Sequence, residues 1–278
     1  MIQDIGEHIF DNQYHPSLPD RESYALYYED HAALVRKYPD RIEFPRFRDI
    51  ERLNEDVYED AVYLFSIDGE RYYLVEEINR ERQSHYTMEN TEIFRYAEPQ
   101  YLAFAGITGY QLHIWYQSRR FCGKCGRRMK KDSKERMLYC ESCHNMEFPK
   151  ICPAVIIGVT DGDKILMSKY AGRTYKKYAL LAGFTEIGET LEETVQREVM
   201  EEVGLKVKNI RYYKSQPWSF TDTLLMGFYC DLDGEAAITL DREELAMAEW
   251  FQRDEIPVEP ERDSITNEMI IRFKSGEV

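Results

Sequence analysis

The sequence predicts a mixed α/β (α+β) protein built from runs of strands with a few segregated helices. Short apolar segments of strand length recur between Ala154 and Phe251. Two amphipathic stretches, at 190–203 and about 264–274, show helical spacing instead. Two close cysteine pairs predict a small metal-bound module ahead of these strands. We therefore divide the chain into an N-terminal domain at 1–118, a ribbon at 119–150 and a C-terminal α/β domain at 151–278.

Composition excludes several classes of protein. The 278 residues are 43% hydrophobic and 13% aromatic, which is too apolar for a disordered chain, and carry a net charge of −15. That surplus of acid argues against general coating of DNA or RNA, which cations drive. No apolar run approaches the roughly 20 residues of a membrane span. The start MIQDIGEHIF resembles no signal peptide, so the expected location is cytoplasmic, with no membrane partner.

The N-terminal domain shows structural signals and no recognisable chemistry. Its opening is irregular. Strands at 61–67 and 71–75 flank Asp68-Gly69, a pair that suits a tight hairpin turn. Apolar residues at 98–119, with no proline after Pro99, predict helical structure, with a break near Gly106 or Gly109. We expect this domain to serve packing, dimerisation or enclosure of a substrate.

The ribbon contains two CxxC pairs, Cys122/Cys125 and Cys140/Cys143, separated by fourteen residues. Each pair can present two thiolates to one tetrahedral ion, so the spacing predicts one zinc. Four sulfur ligands leave no position for water, which makes this Zn²⁺ structural; the alternative is four reduced or redox-active thiols. Nine cations surround the cysteines and form either a solvated surface or a guide for a phosphate-bearing substrate: Arg119, Arg120, Lys124, Arg127, Arg128, Lys130, Lys131, Lys134 and Arg136.

The C-terminal domain follows as a series of predicted strands. They lie at 154–160, 164–170, 178–184, 207–214, 223–232 and 249–251, with a turn at Asp161-Gly162. Cys152 and Cys230 lie in apolar stretches and are expected in the core.

The predicted helix at 190–203 places carboxylates beside its apolar stripe. Thr190 and Glu193 form a capping-box pattern at its start, and Gly204 can supply the left-handed residue at its end. At about 100° per residue, Glu198, Glu201 and Glu202 fall on the edge of the apolar stripe formed by Leu191, Val195 and Val199. In this projection Glu202 lies between Leu191 and Val195. Like charges this close need compensating cations, and oxygen ligands favour Mg²⁺ or Mn²⁺. The alternative is an acidic solvated helix.

The same segment resembles the Nudix box, G-x5-E-x7-R-E-U-x-E-E-x-G-U, in which U is aliphatic. The matching residues are Gly183, Glu189, Arg197, Glu198, Val199, Glu201, Glu202, Gly204 and Leu205. The resemblance implies a Nudix α/β/α sandwich with a mixed sheet that hydrolyses a nucleoside diphosphate, using two or three Mg²⁺ or Mn²⁺ ions. It also implies roles for particular residues. Glu198, Glu201, Glu202 and the Ala182 carbonyl would belong to the metal site, Glu189 would support it, and Arg197 would orient the carboxylates.

Flanking segments resemble the NADH pyrophosphatase subfamily, which also carries a four-cysteine ribbon before its Nudix domain. The segment SQPWSFTDT is similar to the subfamily's SQPWPFPxS, and DREELAMAEW resembles a segment that adds a metal ligand, here Glu244, with Glu243 as the neighbouring alternative. The implied substrate-binding residues are Phe148, Phe184, Gln216, Pro217, Trp218, Ser219, Phe220, Thr221, Asp222, Thr223 and Thr266. Five of these depart from the subfamily pattern: Phe148 stands for tyrosine, Ser219 and Thr221 for proline, Thr223 for serine and Thr266 for alanine.

The resemblance implies hydrolysis of NADH or NAD to nicotinamide mononucleotide and AMP, removal of NAD caps from RNA, and a homodimer. Phe148, Trp218 and Phe220 are the candidates for stacking on a base, although Trp218 also suits a core position. Either Glu201 or Glu202 could accept the proton of the attacking water. Two alternatives stay open. One is a Nudix hydrolase of another nucleoside diphosphate such as ADP-ribose, and the other is an inactive zinc-ribbon protein that binds nucleic acid or a partner.

Overall fold

The computed structural model describes residues 1–51, 57–78, 85–172, 176–262 and 264–278. Its contacts divide the chain into two compact units. The N-terminal unit holds residues 2–150 and 219–221, and the C-terminal unit holds Met1, 151–218 and 222–278. The ribbon therefore groups with the residues that precede it, and the boundary between 118 and 119 stays a prediction from sequence.

The N-terminal unit contains more strands than the sequence predicts. Its strands are β1 (Phe10–Asp11), β2 (Tyr24–Leu26), β3 (Tyr28–Glu29), β4 (Ala32–Lys37), β5 (Ile42–Glu43), β6 (Val62–Ile67), β7 (Glu70–Leu74) and β8 (Thr87–Asn90). Within the described residues, β1, β6, β7 and β2 form one sheet in that order, and β4 pairs with β3, β5 and β8 in another. The prediction of an irregular opening is therefore wrong. Strands of two or three residues are too short to show a periodic pattern in the sequence.

The hairpin predicted at Asp68-Gly69 is confirmed. Strands β6 and β7 pair antiparallel, with Ile67 opposite Glu70. Asp68 and Gly69 have φ of 53° and 80°, as a turn with two left-handed residues requires.

The predicted helix in this unit is confirmed, but the break is wrong. Helix α1 is a short turn at Phe47–Ile50, and α2 runs without interruption over Gln100–Ser118. A Cβ at Gly106 would lie 2.5 Å from the Phe94 ring, and one at Gly109 would lie 2.5 Å from Leu26. These glycines therefore allow α2 to pack closely against the core, which explains them without a break.

The ribbon forms a small antiparallel sheet. Its strands are β9 (Lys130–Lys131), β10 (Leu138–Tyr139) and β11 (Met146–Glu147), with β10 in the centre. Leu138 is 4% exposed and belongs to the same hydrophobic cluster as the buried residues of α2.

The C-terminal unit is built on a mixed sheet. Its strands are β12 (Cys152–Asp161), β13 (Lys164–Tyr170), β14 (Leu181–Phe184), β15 (Val207–Trp218), β16 (Thr223–Leu232) and β17 (Leu245–Gln252). Their order is β15-β16-β12-β13-β17, with β14 also paired to β12. Strands β12 and β16 are parallel, and the other pairs are antiparallel.

Two helices, α3 (Leu191–Val203) and α4 (Ile265–Lys274), cover this sheet. The core under α3 contains Val155 and Ile157 of β12, whereas the core under α4 contains Ile156. Successive strand residues point to opposite faces, so the two helices lie on opposite faces of the sheet. The predicted α/β/α sandwich is confirmed.

Several strand boundaries of this unit differ from the sequence predictions. The strand expected at 178–184 begins only at Leu181, and β17 is longer than the piece expected at 249–251. Strand β15 continues through Pro217 to Trp218, where a proline-led loop is the simpler sequence interpretation. Among the described strands, β15 pairs only with β16. Pro217 is tolerated there because an edge strand leaves one row of N–H groups outside the ladder.

Candidate active site and zinc centre

Helix α3 begins and ends as its sequence predicts. Thr190 Oγ1 accepts a hydrogen bond from the Glu193 N–H at 3.2 Å, and the Glu193 carboxylate accepts one from the Thr190 N–H at 2.8 Å. Gly204 ends the helix with φ of 69°. These caps satisfy backbone groups at both ends and fix the position of every glutamate between them.

The three glutamates of the helix occupy different environments. Glu198 and Glu202 are 8% and 3% exposed, close to the fully buried stripe of Val195 and Val199. The side chain of Glu201 is 58% exposed. The burial of Glu202 agrees with the helical projection that places it between Leu191 and Val195, whereas Glu201 lies farther from the apolar stripe than the edge position expected for it.

Gly183 gives the Glu198 carboxylate its place against strand β14. A Cβ built at Gly183 would lie 1.8 Å from Glu198 Cδ and 1.9 Å from Oε1. No side chain fits there, so glycine is the residue that lets the carboxylate approach the strand backbone. Ala182, the predicted carbonyl ligand, precedes this glycine on the same strand.

Arg197 forms hydrogen bonds to three of the carboxylates of the motif. Its guanidinium donates hydrogen bonds to Glu189 at 2.6 and 3.0 Å, to Glu198 at 2.7 Å and to Glu201 at 2.9 Å. It also donates to the Phe184 carbonyl at 2.9 Å, which ties the helix to the end of β14. A rigid planar group that contacts three carboxylates fixes their orientation, as the resemblance implies for this residue.

The pKa values of two of these carboxyls shift in opposite directions. Hydrogen bonding to Arg197 is the main cause that lowers the pKa of Glu189 to about 2. Burial raises the pKa of Glu198 above its ordinary value, Arg197 opposes this, and the charges of Glu201 and Glu244 add to the rise. The fold therefore holds Glu198 where an added cation would stabilise its charged form.

A backbone connection attaches the Glu244 loop to helix α3. The Thr239 N–H donates to the Val203 carbonyl at 2.9 Å, and the Asp241 N–H donates to the Glu202 carbonyl at 2.9 Å. These bonds use carbonyls of the last turn of the helix, which has no helical donors of its own. Glu244 is exposed, yet its charge acts on Glu198, so the loop brings it into the electrostatic range of the motif.

The donor chemistry of this acidic group fits a hard divalent cation. Two buried carboxylates and a strand carbonyl are oxygen donors, which Mg²⁺ and Mn²⁺ prefer. Among the described residues, the glutamates do not form a group with all ligand oxygens within 4.8 Å of one another.

Gln216 connects the SQPW segment to helix α4. Its side chain is fully buried, and Oε1 accepts a hydrogen bond from the Ile265 N–H at 2.7 Å. Ser264 caps the same helix through the Asn267 N–H at 3.3 Å. Gln216 therefore holds the first turn of α4, which carries the predicted substrate residue Thr266.

The predicted aromatic contacts divide between the two units. Phe148 and Phe220 belong to the N-terminal unit, and Phe184 and Trp218 belong to the C-terminal unit. Phe148 and Phe184 are 54% and 57% exposed, a high value for aromatic rings and one that leaves their faces accessible. Phe220 lies under the guanidinium of Arg95 at 4.5 Å, a contact that no sequence signal indicated.

The other predicted substrate residues vary in exposure. Ser219 and Thr223 are buried, Pro217 and Thr221 are exposed, and Asp222 and Thr266 are intermediate. Asp222 has φ of 56°, and its carbonyl accepts the Cys152 N–H at 2.7 Å. Cys152 is partly exposed, so its predicted core position is wrong, whereas Cys230 is fully buried as predicted. The end-of-strand position of Cys152 explains the difference.

The four ribbon cysteines form one cluster. Their sulfur atoms all lie within 4.8 Å of one another, with Cys122 Sγ 3.5 Å from Cys143 Sγ and Cys125 Sγ 3.4 Å from Cys140 Sγ. The contacts join one CxxC pair to the other, as a shared tetrahedral ion requires. The spacing prediction of a single four-sulfur site is confirmed.

Both CxxC turns share one backbone geometry. The residue after each pair, Gly126 or His144, has a positive φ of 73° or 57°. Its N–H donates to the carbonyl of the first cysteine, Cys122 at 2.8 Å and Cys140 at 2.9 Å. The backbone N–H of Cys143 is the largest cause that lowers the pKa of Cys140 to about 7, which favours the thiolate that binds metal.

Family models match most of this C-terminal half and the ribbon. A NUDIX domain model matches residues 150–273, and an NADH pyrophosphatase zinc ribbon domain model matches residues 117–148. No described helix combines the length and apolar character needed to cross a membrane.

Curated relatives are similar to more than half of this chain. The NAD-capped RNA hydrolase NudC of Photorhabdus laumondii is 41% identical over 162 residues, and that of Klebsiella pneumoniae is 40% identical over 163. Each match spans 58% of this chain and 63% of the relative, so less than two thirds of the relatives' length is covered. A Nudix hydrolase from Nitrosomonas europaea is 24% identical, with a TM-score of 0.49, over 56% of this chain and 90% of that one. The chain therefore contains a Nudix domain at residues 150–273, directly preceded by an NADH pyrophosphatase-type zinc ribbon at residues 117–148.

Proposed function

We propose that this protein hydrolyses the diphosphate bond of NADH or NAD, yielding nicotinamide mononucleotide and AMP, and removes NAD caps from RNA 5′ ends. The buried pair Glu198 and Glu202, with Gly183 shaped to admit one of them, is the observation that carries the hydrolase assignment. The zinc ribbon and the NudC relatives support the choice of substrate.

The proposal assigns a role to each acidic residue. Glu198, Glu202, Glu244 and the Ala182 carbonyl would hold two to three Mg²⁺ or Mn²⁺ ions, with Glu201 at their edge. When bound, such ions neutralise a diphosphate and lower the pKa of a water molecule. Arg197 keeps Glu198 and Glu201 oriented through bonds of 2.7 and 2.9 Å. Glu189 holds Arg197 in turn, so it acts as a positioning residue.

Base recognition is assigned to the exposed aromatic rings. Phe148 and Phe184 are more than half exposed. Trp218 and Phe220 belong to the SQPWSFTDT segment. Gln216 supports recognition indirectly through its bond of 2.7 Å to the first turn of α4. One Zn²⁺ per chain holds the ribbon. We also propose that the protein forms a homodimer and is located in the cytoplasm.

Parallel product analysis tests the substrate. Wild-type protein is incubated with Mg²⁺ or Mn²⁺ and NADH, NAD, ADP-ribose or NAD-capped RNA, and products are separated by chromatography. We expect nicotinamide mononucleotide and AMP from the dinucleotides, and release of nicotinamide mononucleotide from the capped RNA. Faster cleavage of ADP-ribose than of NADH would favour another nucleoside-diphosphate hydrolase. No cleavage of any substrate with either metal would favour a binding protein.

A further inference from the structure

The first cysteine turn of the ribbon presents a group of exposed cations around an exposed ring. The backbone pairs Arg120 with Met129 at 2.9 Å and Cys122 with Arg127 at 2.7 Å, and Phe121 is bridged to Arg128. Residues bridged in this antiparallel way project their side chains to the same side. We call Arg120, Phe121, Lys124, Arg127 and Arg128 the ribbon face; all five are exposed.

The cations of the ribbon face differ from other ribbon cations in their partners. Lys130 lies 2.7 Å from Glu141, and Lys131 lies 3.4 Å from Glu76. Among the residues that the structure describes, no carboxylate lies within 4.0 Å of the four cations of the ribbon face. Their charge is therefore available to an external anion.

The ribbon is positively charged, whereas the rest of the chain is negatively charged. Residues 119–136 contain nine cations and two carboxylates, a net charge of +7. Since the whole chain carries −15, the remainder carries −22. A polyanion is therefore repelled by most of the chain and attracted to the ribbon.

Phe121 indicates which polyanion fits. Its ring is 64% exposed and shares one side of the turn with Arg128. Cations that track a backbone, combined with an aromatic ring on which a base can stack, are the combination that binds single-stranded nucleic acid.

We propose that the ribbon face binds the single-stranded RNA that follows the NAD cap. The proposal rests on the proposed function and adds a second binding surface for the capped substrate. NADH carries no RNA chain and so cannot use this surface. The ribbon face should therefore affect cleavage of NAD-capped RNA and leave cleavage of NADH unchanged.

The variant R127E/R128E tests this separation. We expect its kcat/KM for NADH to equal that of the wild type, and its kcat/KM for a capped RNA of about 20 nucleotides to fall at least about tenfold, since such a length exceeds the roughly 4–16 nucleotides of one binding fold. The salt dependence of log kcat/KM for the RNA should become shallower by about 0.7 for each phosphate that the variant no longer neutralises. Wild-type cleavage of the RNA with an unchanged salt slope would overturn the proposal, as would an equal decrease on both substrates.

A matched control separates local binding from net charge. The variant K37E/R41E makes the same change in charge on side chains that are 57% and 48% exposed in the N-terminal unit, outside the ribbon. We expect it to cleave the capped RNA at the wild-type rate. If it loses as much activity as R127E/R128E, general repulsion explains the effect and the ribbon face is rejected.

Direct binding tests the ribbon face independently of catalysis. A fluorescent, uncapped single-stranded RNA of the same length is titrated with wild type, R127E/R128E and F121A, and anisotropy is measured. We expect the charge variant to lose most of the affinity and F121A to lose about tenfold, as for removal of one stacked base. Binding by wild type without cleavage of any substrate would refute the proposed function and keep this surface. Equal affinity in all three proteins would refute the surface alone, and tighter binding of duplex RNA would refute the single-strand assignment.

Discussion

Arg197 and Glu189 form a bidentate pair, with Nε–Oε1 at 2.6 Å and Nη2–Oε2 at 3.0 Å. The pair keeps the pKa of Glu189 at about 2, below its ordinary value of 4.5. A depressed folded-state pKa stabilises the protein above the unfolded value, and this contribution is lost as pH falls from about 4.5 toward 2. We expect E189Q to have a lower Tm than wild type at pH 7 and the difference to shrink below pH 4.5. Thermal melts from pH 7 to pH 3 measure it; a difference that does not depend on pH would contradict the role of charge.

Glu202 should matter more for hydrolysis than Glu201. It is 3% exposed beside the apolar stripe, whereas the side chain of Glu201 is 58% exposed. We expect E202Q to keep the fold and lose turnover by several powers of ten, since the swap preserves shape and removes the charge that holds a metal. E201Q should lose less, and E192Q, on an exposed position of the same helix, should lose nothing. Steady-state kinetics at saturating Mg²⁺ decide it, and near-normal turnover of E202Q would rule out the assignment.

Gly183 should tolerate no side chain. A methyl group there overlaps Glu198 Cδ at 1.8 Å, so G183A must displace the carboxylate or the strand. Displacements of about 1 Å in a catalytic group can cost about a hundredfold in rate, and we expect at least that decrease. The matched control is G123A, whose Cβ meets no atom within 4 Å. Full activity in G183A would mean that the close approach is unimportant.

The cysteine cluster should bind one zinc ion per chain. Elemental analysis of freshly purified protein measures it directly. We expect C140S to lose zinc and to unfold at a lower temperature, because binding at a closed four-sulfur site contributes folding free energy. Cys152 lies outside the cluster, so C152A should keep its zinc. Wild-type protein without zinc would contradict the prediction.

Phe148 and Trp218 should contribute to dinucleotide recognition. Loss of a stacked ring removes about 1 to 3 kcal/mol in other systems. At about 1.4 kcal/mol per decade, F148A or W218A should cut kcat/KM for NADH roughly ten- to a hundredfold, with unchanged Mg²⁺ dependence. F148Y should be neutral or mildly favourable, since it keeps the ring face. Because Trp218 is partly buried, its variant needs a melting curve as well. Wild-type kinetics in both folded alanine variants would eliminate the stacking role.

Local sequence determined the parts of this protein that depend on neighbouring residues. Short-range geometry explains the helix caps at Thr190 and Gly204 and the turn at Asp68-Gly69. It also explains why the two CxxC pairs form one cluster. Hydrophobic periodicity predicted the two long helices of the C-terminal unit and its strands, because a 3.6-residue or 2-residue repeat is visible in the chain itself. The glutamates that we propose as metal ligands were identified by their spacing on one helix.

Tertiary structure decided which of those residues meet partners from distant segments. Burial of Glu198 against Gly183, and the attachment of the Glu244 loop to the end of α3, depend on how strand β14 and residues 239–244 pack on the helix. The bond from Gln216 to α4 and the Arg95–Phe220 contact join residues far apart in sequence. Such contacts leave no local periodic signal, because their energy comes from packing and desolvation once the chain has folded. For the same reason only the folded chain could distinguish Lys130, which pairs with Glu141, from the cations of the ribbon face.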